Sequence, residues 1–274
     1  MQPRYEIGHF LEIEPGVEIY YEDQGHGQPL LFIPGITMST GVFEKQAAHF
    51  SKKYRVICMD PRSQGRSSKV MYGNTYEQHG RDVRMLVEHL DLDDLTMIGW
   101  SSGAADLWAY VSLYDTGRLK GAVAIDMPPK PLSHDPADWV EFSLNDMAGV
   151  MTELLASTAG QRQLFDDYTR QVMLSKPTDE EVNTIINISM NTPYYIFHTL
   201  YTNLVLCNWL PAAKTLDSKI PSLIIMAKHW ADTALAYTNK HLPKTKTAVL
   251  GGHMMFWDHA DEFNQILDNF LEGV

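Results

Sequence analysis

Ile98-Gly99-Trp100-Ser101-Ser102-Gly103-Ala104 stands between a strand-like run and a helix-like one. Upstream, Leu95-Thr96-Met97-Ile98 is short and apolar and follows the turn-like pair Asp93-Asp94. Downstream, Ala104, Leu107, Trp108, Val111 and Tyr114 recur at helical spacing. The pattern G-x-S-x-G therefore sits in a strand-turn-helix context. A serine at such an elbow occupies a tight turn, and a Cβ at Gly99 or Gly103 would collide where strand and helix pack closely. The turn pushes the hydroxyl out over the carboxyl edge of the sheet and aims the helix amides at any oxygen that develops charge beside it.

The rest of the chain reads as alternating strands and helices. Phe10-Leu11-Glu12-Ile13 and Val17 to Glu22 form an antiparallel hairpin turned at Pro15-Gly16. Leu30 to Ile33, Arg55 to Asp60, Ala122 to Ile125 and Pro221 to Met226 are continuous apolar runs of the kind buried on both faces of a parallel sheet. With the Leu95 run and Thr247 to Leu250 they bring the strands to eight. Helical stretches are expected near Val42 to Phe50, Tyr76 to Leu90, Ala231 to His241 and His259 to Leu271. Between Met127 and about Ala213 the pattern changes to prolines and aromatic, helix-like segments with no buried-strand run. The expected organisation is a core of residues 1–126 and 214–274 with a helical cap inserted at 127–213.

Composition narrows the function classes. A chain of 274 residues with 45% hydrophobic content can bury a large core. A formal net charge of -12 disfavours nucleic acid and anionic membranes as partners, since both need a basic face. Cys58 and Cys207 form neither a disulfide framework nor a metal-ligand spacing, which suits a reduced cytoplasm. Met1 to Glu6 lacks an apolar leader, and no stretch reaches the roughly 18 apolar residues of a membrane span. A cytoplasmic protein without a membrane span is expected. No metal cluster, nucleotide loop or haem motif is visible, so no cofactor is expected.

Taken together, these parts resemble the α/β-hydrolase fold: a mostly parallel eight-stranded sheet with helices on both faces and an inserted helical cap. The resemblance rests on the elbow Gly99 to Gly103, the loop Pro34-Gly35-Ile36, the turn Asp60-Pro61-Arg62-Ser63-Gln64-Gly65-Arg66-Ser67, and a late His253, in the family's order. The turn is similar to the family's D-x-x-G-x-G-x-S, with Ser63 in place of the first glycine. What the resemblance implies is acyl transfer with Ser101 as nucleophile and His253 as its base, because an alcohol is too weak a nucleophile at its own pKa. His253 lies just past the last strand, and Gly251-Gly252 let its loop turn back over the elbow. The oxyanion hole would be the backbone amides of Ile36 and Ser102.

The orienting acid has two candidates. In the commoner family arrangement it follows the strand after the cap, where this chain has Trp230 in the expected place and Asp232 close by. In the other it follows the strand after the nucleophile helix, where Asp126 stands before Met127-Pro128-Pro129. Asp126 is preferred, and Asp232 is kept as the alternative, read otherwise as a helix N-cap.

Trp100, Met127, Met254, Tyr194 and Trp209 are expected to line an apolar, adaptable pocket. The expected activity is cleavage of a carboxylic ester or lactone through an acyl-enzyme, on a small apolar or amphipathic substrate, by a monomer or homodimer. The Gly-Trp-Ser-Ser-Gly elbow with an acid after the earlier strand is also similar to lactone hydrolases of this superfamily, the zearalenone-degrading type among them. Alternatives are the same triad used for perhydrolysis, C–C or amide hydrolysis, and a non-catalytic ligand-binding relative.

Overall fold

The computed structural model describes residues 7–135, 137–141 and 143–274. Eight strands form one sheet: β1 (Gly8–Glu14), β2 (Val17–Gly25), β3 (Pro29–Ile33), β4 (Arg55–Asp60), β5 (Leu95–Trp100), β6 (Leu119–Ile125), β7 (Ser222–Met226) and β8 (Lys246–Val249). Their order is β1-β2-β4-β3-β5-β6-β7-β8. β2 pairs antiparallel with β1 and β4, and every other pair is parallel. This is the eight-stranded, mostly parallel sheet expected of the α/β-hydrolase fold. The first hairpin turns at Gly16, whose φ of 77° is a conformation glycine adopts without penalty.

The apolar runs are continuous because both faces of the sheet are covered. Leu31, Ile57, Met97 and Ile224 point into one apolar cluster, while their neighbours Phe32, Cys58, Ile98 and Ile225 point into the other. On the first face lie α1 (Tyr76–His89) and α2 (Ser102–Tyr114), which contribute Leu86, Val87, Leu107 and Trp108. The second face is covered by a helix at Glu44–Phe50 and another at Ala260–Leu271, through Ala47, Phe50, Phe263 and Leu267. Each large apolar side chain among these contributes about 1.5–3 kcal/mol by leaving water.

Between β6 and β7 the described residues form helices and no strand. They include α3 (Leu144–Gly149), α4 (Thr158–Tyr168), α5 (Asp179–Ser189), α6 (Tyr194–Leu206) and α7 (Leu210–Lys219). Capping boxes at Ser143 and Thr178 begin α3 and α5. Phe165, Ile185 and Phe197 from these helices join the same apolar cluster as Trp100 and Met254 of the core. The boundary expected at 213/214 falls inside α7, whose Ala212, Ala213 and Leu216 pack with α2 on the sheet's first face.

Close approach of β5 and α2 makes the elbow. A Cβ on Gly99 would lie 2.2 Å from the carbonyl oxygen of Gly103, and one on Gly103 would lie 2.2 Å from that of Ile33. Both obstacles are backbone and cannot rotate away. Gly103→Ala is expected to destabilise the fold by about 1–3 kcal/mol, the usual range for overpacking. By contrast Gly117, where an added Cβ would meet nothing within 4 Å, should accept alanine within about 0.5 kcal/mol. Urea unfolding of the two variants checks the difference.

Candidate active site

Ser101 leaves β5 with φ 53° and ψ -123°, a strained conformation for a residue with a Cβ. Its N–H donates to the Ile125 carbonyl at 2.8 Å, which ties the turn to β6. Asp126 leaves β6 the same way, with φ 52° and its N–H donating to the Ile225 carbonyl at 2.7 Å. The register pairs Trp100 with Ile125 and Ile125 with Ile225, so serine and aspartate emerge side by side at the carboxyl ends of adjacent parallel strands.

Asp126 is fully buried, and its side chain takes three donors. Ala227 N–H and Trp230 Nε1–H donate to Oδ1 at 2.6 and 2.7 Å, and His253 Nδ1 lies 2.7 Å from Oδ2. Charge-assisted bonds of this kind offset the cost of burying a carboxylate. Trp230, which stands where the family's commoner arrangement has its acid, here donates its indole N–H to Asp126. Asp232 is exposed, in the first turn of the helix Ala231–His241, whose N-cap is Trp230. The structure brings Asp126 to His253 and leaves Asp232 on the surface; Asp232 is not the N-cap either.

His253 is held by its backbone on three sides. Its N–H donates to Val172 O at 3.0 Å, the next amide, Met254, donates to Met173 O at 2.9 Å, and its own carbonyl accepts from Trp100 Nε1 at 2.8 Å. Val172 and Met173 belong to a π-helical turn, Thr169–Met173, that continues α4. Gly252 is required by this approach, since a Cβ there would lie 2.7 Å from the Val172 carbonyl oxygen. Gly251 takes a φ of 49°.

Opposite the elbow, Gly35 approaches so closely that a Cβ on it would stand 3.1 Å from Ser101 Cβ. Among the described residues neither Ile36 N–H nor Ser102 N–H has a hydrogen-bond acceptor. The loop's course is set from the turn after β4. Gln64 Oε1 accepts from Thr37 N–H, and the Asp60 carboxylate accepts from Thr40 N–H at 2.6 Å and Arg66 N–H at 2.7 Å. Ser63, where the family pattern has glycine, keeps the left-handed φ of 65°, and its hydroxyl bonds the Val70 backbone at 3.2 Å. Burial pushes the Asp60 carboxyl up to about 6, against the pull of the two amides.

Ser101 and His253 line one cavity of about 580 Å³. Gly35, Ile36, Met38 and Trp100 wall it on the core side, and Phe165, Tyr168, Met173, Phe197, Tyr201 and Leu204 wall it from the helices between β6 and β7. Of the five side chains expected in the pocket, only Trp100 lines it. Met127 and Met254 are fully buried in the two core clusters, because the chain leaving each strand end turns them inward. Trp209 packs against the first-face cluster, its backbone N–H donating to Pro129 O at 2.7 Å, and Tyr194 stands edge-on to Tyr195.

The polar group that the sequence reading missed is Glu141. It lines the cavity, and its Oε2 is shut off from solvent with no hydrogen-bond partner among the described residues. Burial pushes its carboxyl up to about 7, with His253 pulling down and Asp126 pushing up. The only signal in the sequence is an acid inside the apolar run Trp139-Val140-Glu141-Phe142. Burial likewise raises the phenols of Tyr168 and Tyr201, and the charge of Glu141 adds to both shifts. No group of three or more His, Cys, Asp or Glu side chains is placed to hold a metal ion among the described residues, and no helix there is long and apolar enough to cross a membrane.

A family model described as alpha/beta hydrolase fold matches residues 28–260. The chain belongs to that family. It is 36% identical over 143 residues to the non-heme chloroperoxidase CPO-A1 of Kitasatospora aureofaciens, a match covering 50% of this chain and 52% of the other. The crystal structure of a bromoperoxidase from Bacillus anthracis superposes with a TM-score of 0.85 at 25% identity, over 97% of this chain and 99% of that one. An esterase from Exiguobacterium antarcticum superposes at 0.87 with 17% identity, over 97% and 100%, which speaks to the fold.

Two outcomes follow for stability. Trp230→Phe removes one donor to the Asp126 carboxylate and should cost about 1.5–3 kcal/mol, whereas Asp232→Asn should stay within about 0.5 kcal/mol, both measured by urea unfolding. Glu141 has a folded value near 7 against 4.5 for the free side chain. Its contribution is thus fully present below the unfolded value and lost as pH rises through about 7. Glu141→Gln should therefore gain stability relative to the parent at pH 8 compared with pH 5; a difference independent of pH would contradict the assignment.

Proposed function

We propose that the chain is a cofactor-free serine hydrolase that cleaves a carboxylic ester or lactone through an acyl-enzyme. Ser101 Oγ attacks the carbonyl carbon as His253 Nε2 takes its proton. The leaving alcohol, or the opened hydroxyl of a lactone, receives that proton, and water attacks the acyl-enzyme by the same route. The observation that carries this reading is the 2.7 Å bond between His253 Nδ1 and the buried Asp126 Oδ2. An Nδ1–H committed to a carboxylate leaves Nε2 as the ring's proton acceptor, and stabilises the imidazolium once it forms. The amides of Ile36 and Ser102, both without an acceptor among the described residues, suit the developing oxyanion.

We further take residues 127–213 as a cap over a core of 1–126 and 214–274, since this segment supplies the apolar wall opposite Ser101 and thereby excludes water. The wall suits an apolar or amphipathic acyl group. A second reading, perhydrolysis, draws on the likeness to a chloroperoxidase and a bromoperoxidase. In it hydrogen peroxide replaces water at the acyl-enzyme and a peracid leaves instead of the acid.

A fluorophosphonate should label the parent and not Ser101→Ala. Turnover of short p-nitrophenyl esters should fall by about 10⁶ in Ser101→Ala and His253→Ala. Asp126→Asn should lose far more kcat than Asp232→Asn, and near-normal activity in Asp126→Asn would overturn the triad. Halide oxidation dependent on both ester and peroxide would identify the second reading.

A further inference from the structure

The cavity wall is apolar apart from the catalytic groups, two tyrosines and one carboxyl that nothing in the proposed mechanism uses. Glu141 lines the space that Ser101 also lines, and its Oε2 is enclosed without a hydrogen-bond partner among the described residues. A buried carboxyl oxygen without a partner costs stability, and the residue that carries it lines the space an acyl group would occupy. We propose that Glu141 is the specificity-determining residue of this site, donating a hydrogen bond to a second carbonyl oxygen carried on the substrate's acyl chain. This rests on the serine hydrolase reading for the position of the acyl group. The acyl chain is the part retained through both half-reactions, so it is the part that the enclosed wall must fit.

A protonated carboxyl offers one O–H donor, which complements a keto or further ester carbonyl and rejects neither size nor shape of the hydrocarbon around it. A site built to bond an oxygen discriminates against the analogue that lacks it, because its own polar group is then left unpaired. Burial keeps Glu141 protonated up to about neutral pH. The titratable groups around it are His253 after β8, Asp126 after β6, Tyr76 on α1, Tyr168 on α4 and Tyr201 on α6. The pair of strand-end residues acts on every ester alike, and the three phenols, all raised by burial, stay neutral, so only Glu141 changes the preference between substrates as pH is varied.

The test compares p-nitrophenyl 4-oxopentanoate with p-nitrophenyl pentanoate in the parent, Glu141→Gln and Glu141→Leu. The parent should prefer the oxo ester in kcat/KM by about tenfold at pH 6, the worth of one well-made hydrogen bond, with the preference shrinking by pH 8 as the donor proton is lost. Glu141→Gln, which keeps an N–H donor, should retain the preference without the pH dependence. Glu141→Leu should lose it, with KM rising for the oxo ester and falling for the alkyl ester. A parent ratio near one, or a ratio untouched by the leucine substitution, overturns the proposal. The same two esters are also titrated as ligands into Ser101→Ala and Ser101→Ala/Glu141→Leu, where preference is read as a ratio of Kd values. Absence of turnover in the parent would then count against the hydrolase reading, while equal Kd ratios in the two proteins would count against Glu141.

Discussion

The structure around the candidate site depends on the burial of one carboxylate. Asp126 is shut off from solvent and is stabilised by the Ala227 amide, the Trp230 indole and the His253 imidazole. These donors come from β7's end, from the turn after it and from the loop after β8, so a single group gathers three strand ends of a parallel sheet. Removing any one donor leaves charge in a medium that does not solvate it, a cost far above that of a surface ion pair. The same bond orients the imidazole, and so the constraint that stabilises this edge of the fold also fixes the ring on which the proposed chemistry rests.

Around that point the chain is fitted by close backbone approach. Gly99 and Gly103 let β5 and α2 meet, Gly35 lies against Ser101, and Gly252 lies against the carbonyl of Val172. The left-handed backbone at Ser101 and Asp126 persists because the neighbouring strand over-determines each, the Ile125 carbonyl accepting from Ser101 N–H and the Ile225 carbonyl from Asp126 N–H. The helices between β6 and β7 do more than roof the cavity. The carbonyls of their π-helical turn accept from the amides of His253 and Met254, so the position of the imidazole is tied to the segment that also lines the cavity. Glu141, whose Oε2 has no hydrogen-bond partner among the described residues, lines the cavity with them.

The amino-acid sequence by itself determined the architecture. Period-two burial on two faces made continuous apolar runs, glycines marked the elbow and the returning loop, and the eight strands formed where those runs lie. Helix ends shifted slightly: the expected stretch from His259 begins instead with a short turn at Met255–Asp258 and then Ala260–Leu271. Ser101, His253 and Asp126 were legible as candidates because each sits at a strand end, and strand ends of a parallel sheet share one edge. The tertiary structure alone decided which of Asp126 and Asp232 meets His253, since that turns on which carboxylate finds donors inside the core, and the Trp230 indole that bonds Asp126 is remote from it in sequence. It also decided which apolar side chains face the cavity. Met127, Met254, Tyr194 and Trp209 are as apolar as Phe165 or Phe197, and only the direction in which the backbone aims each one separates a core residue from a wall; for the same reason Glu141 is recognisable as cavity lining only in the fold.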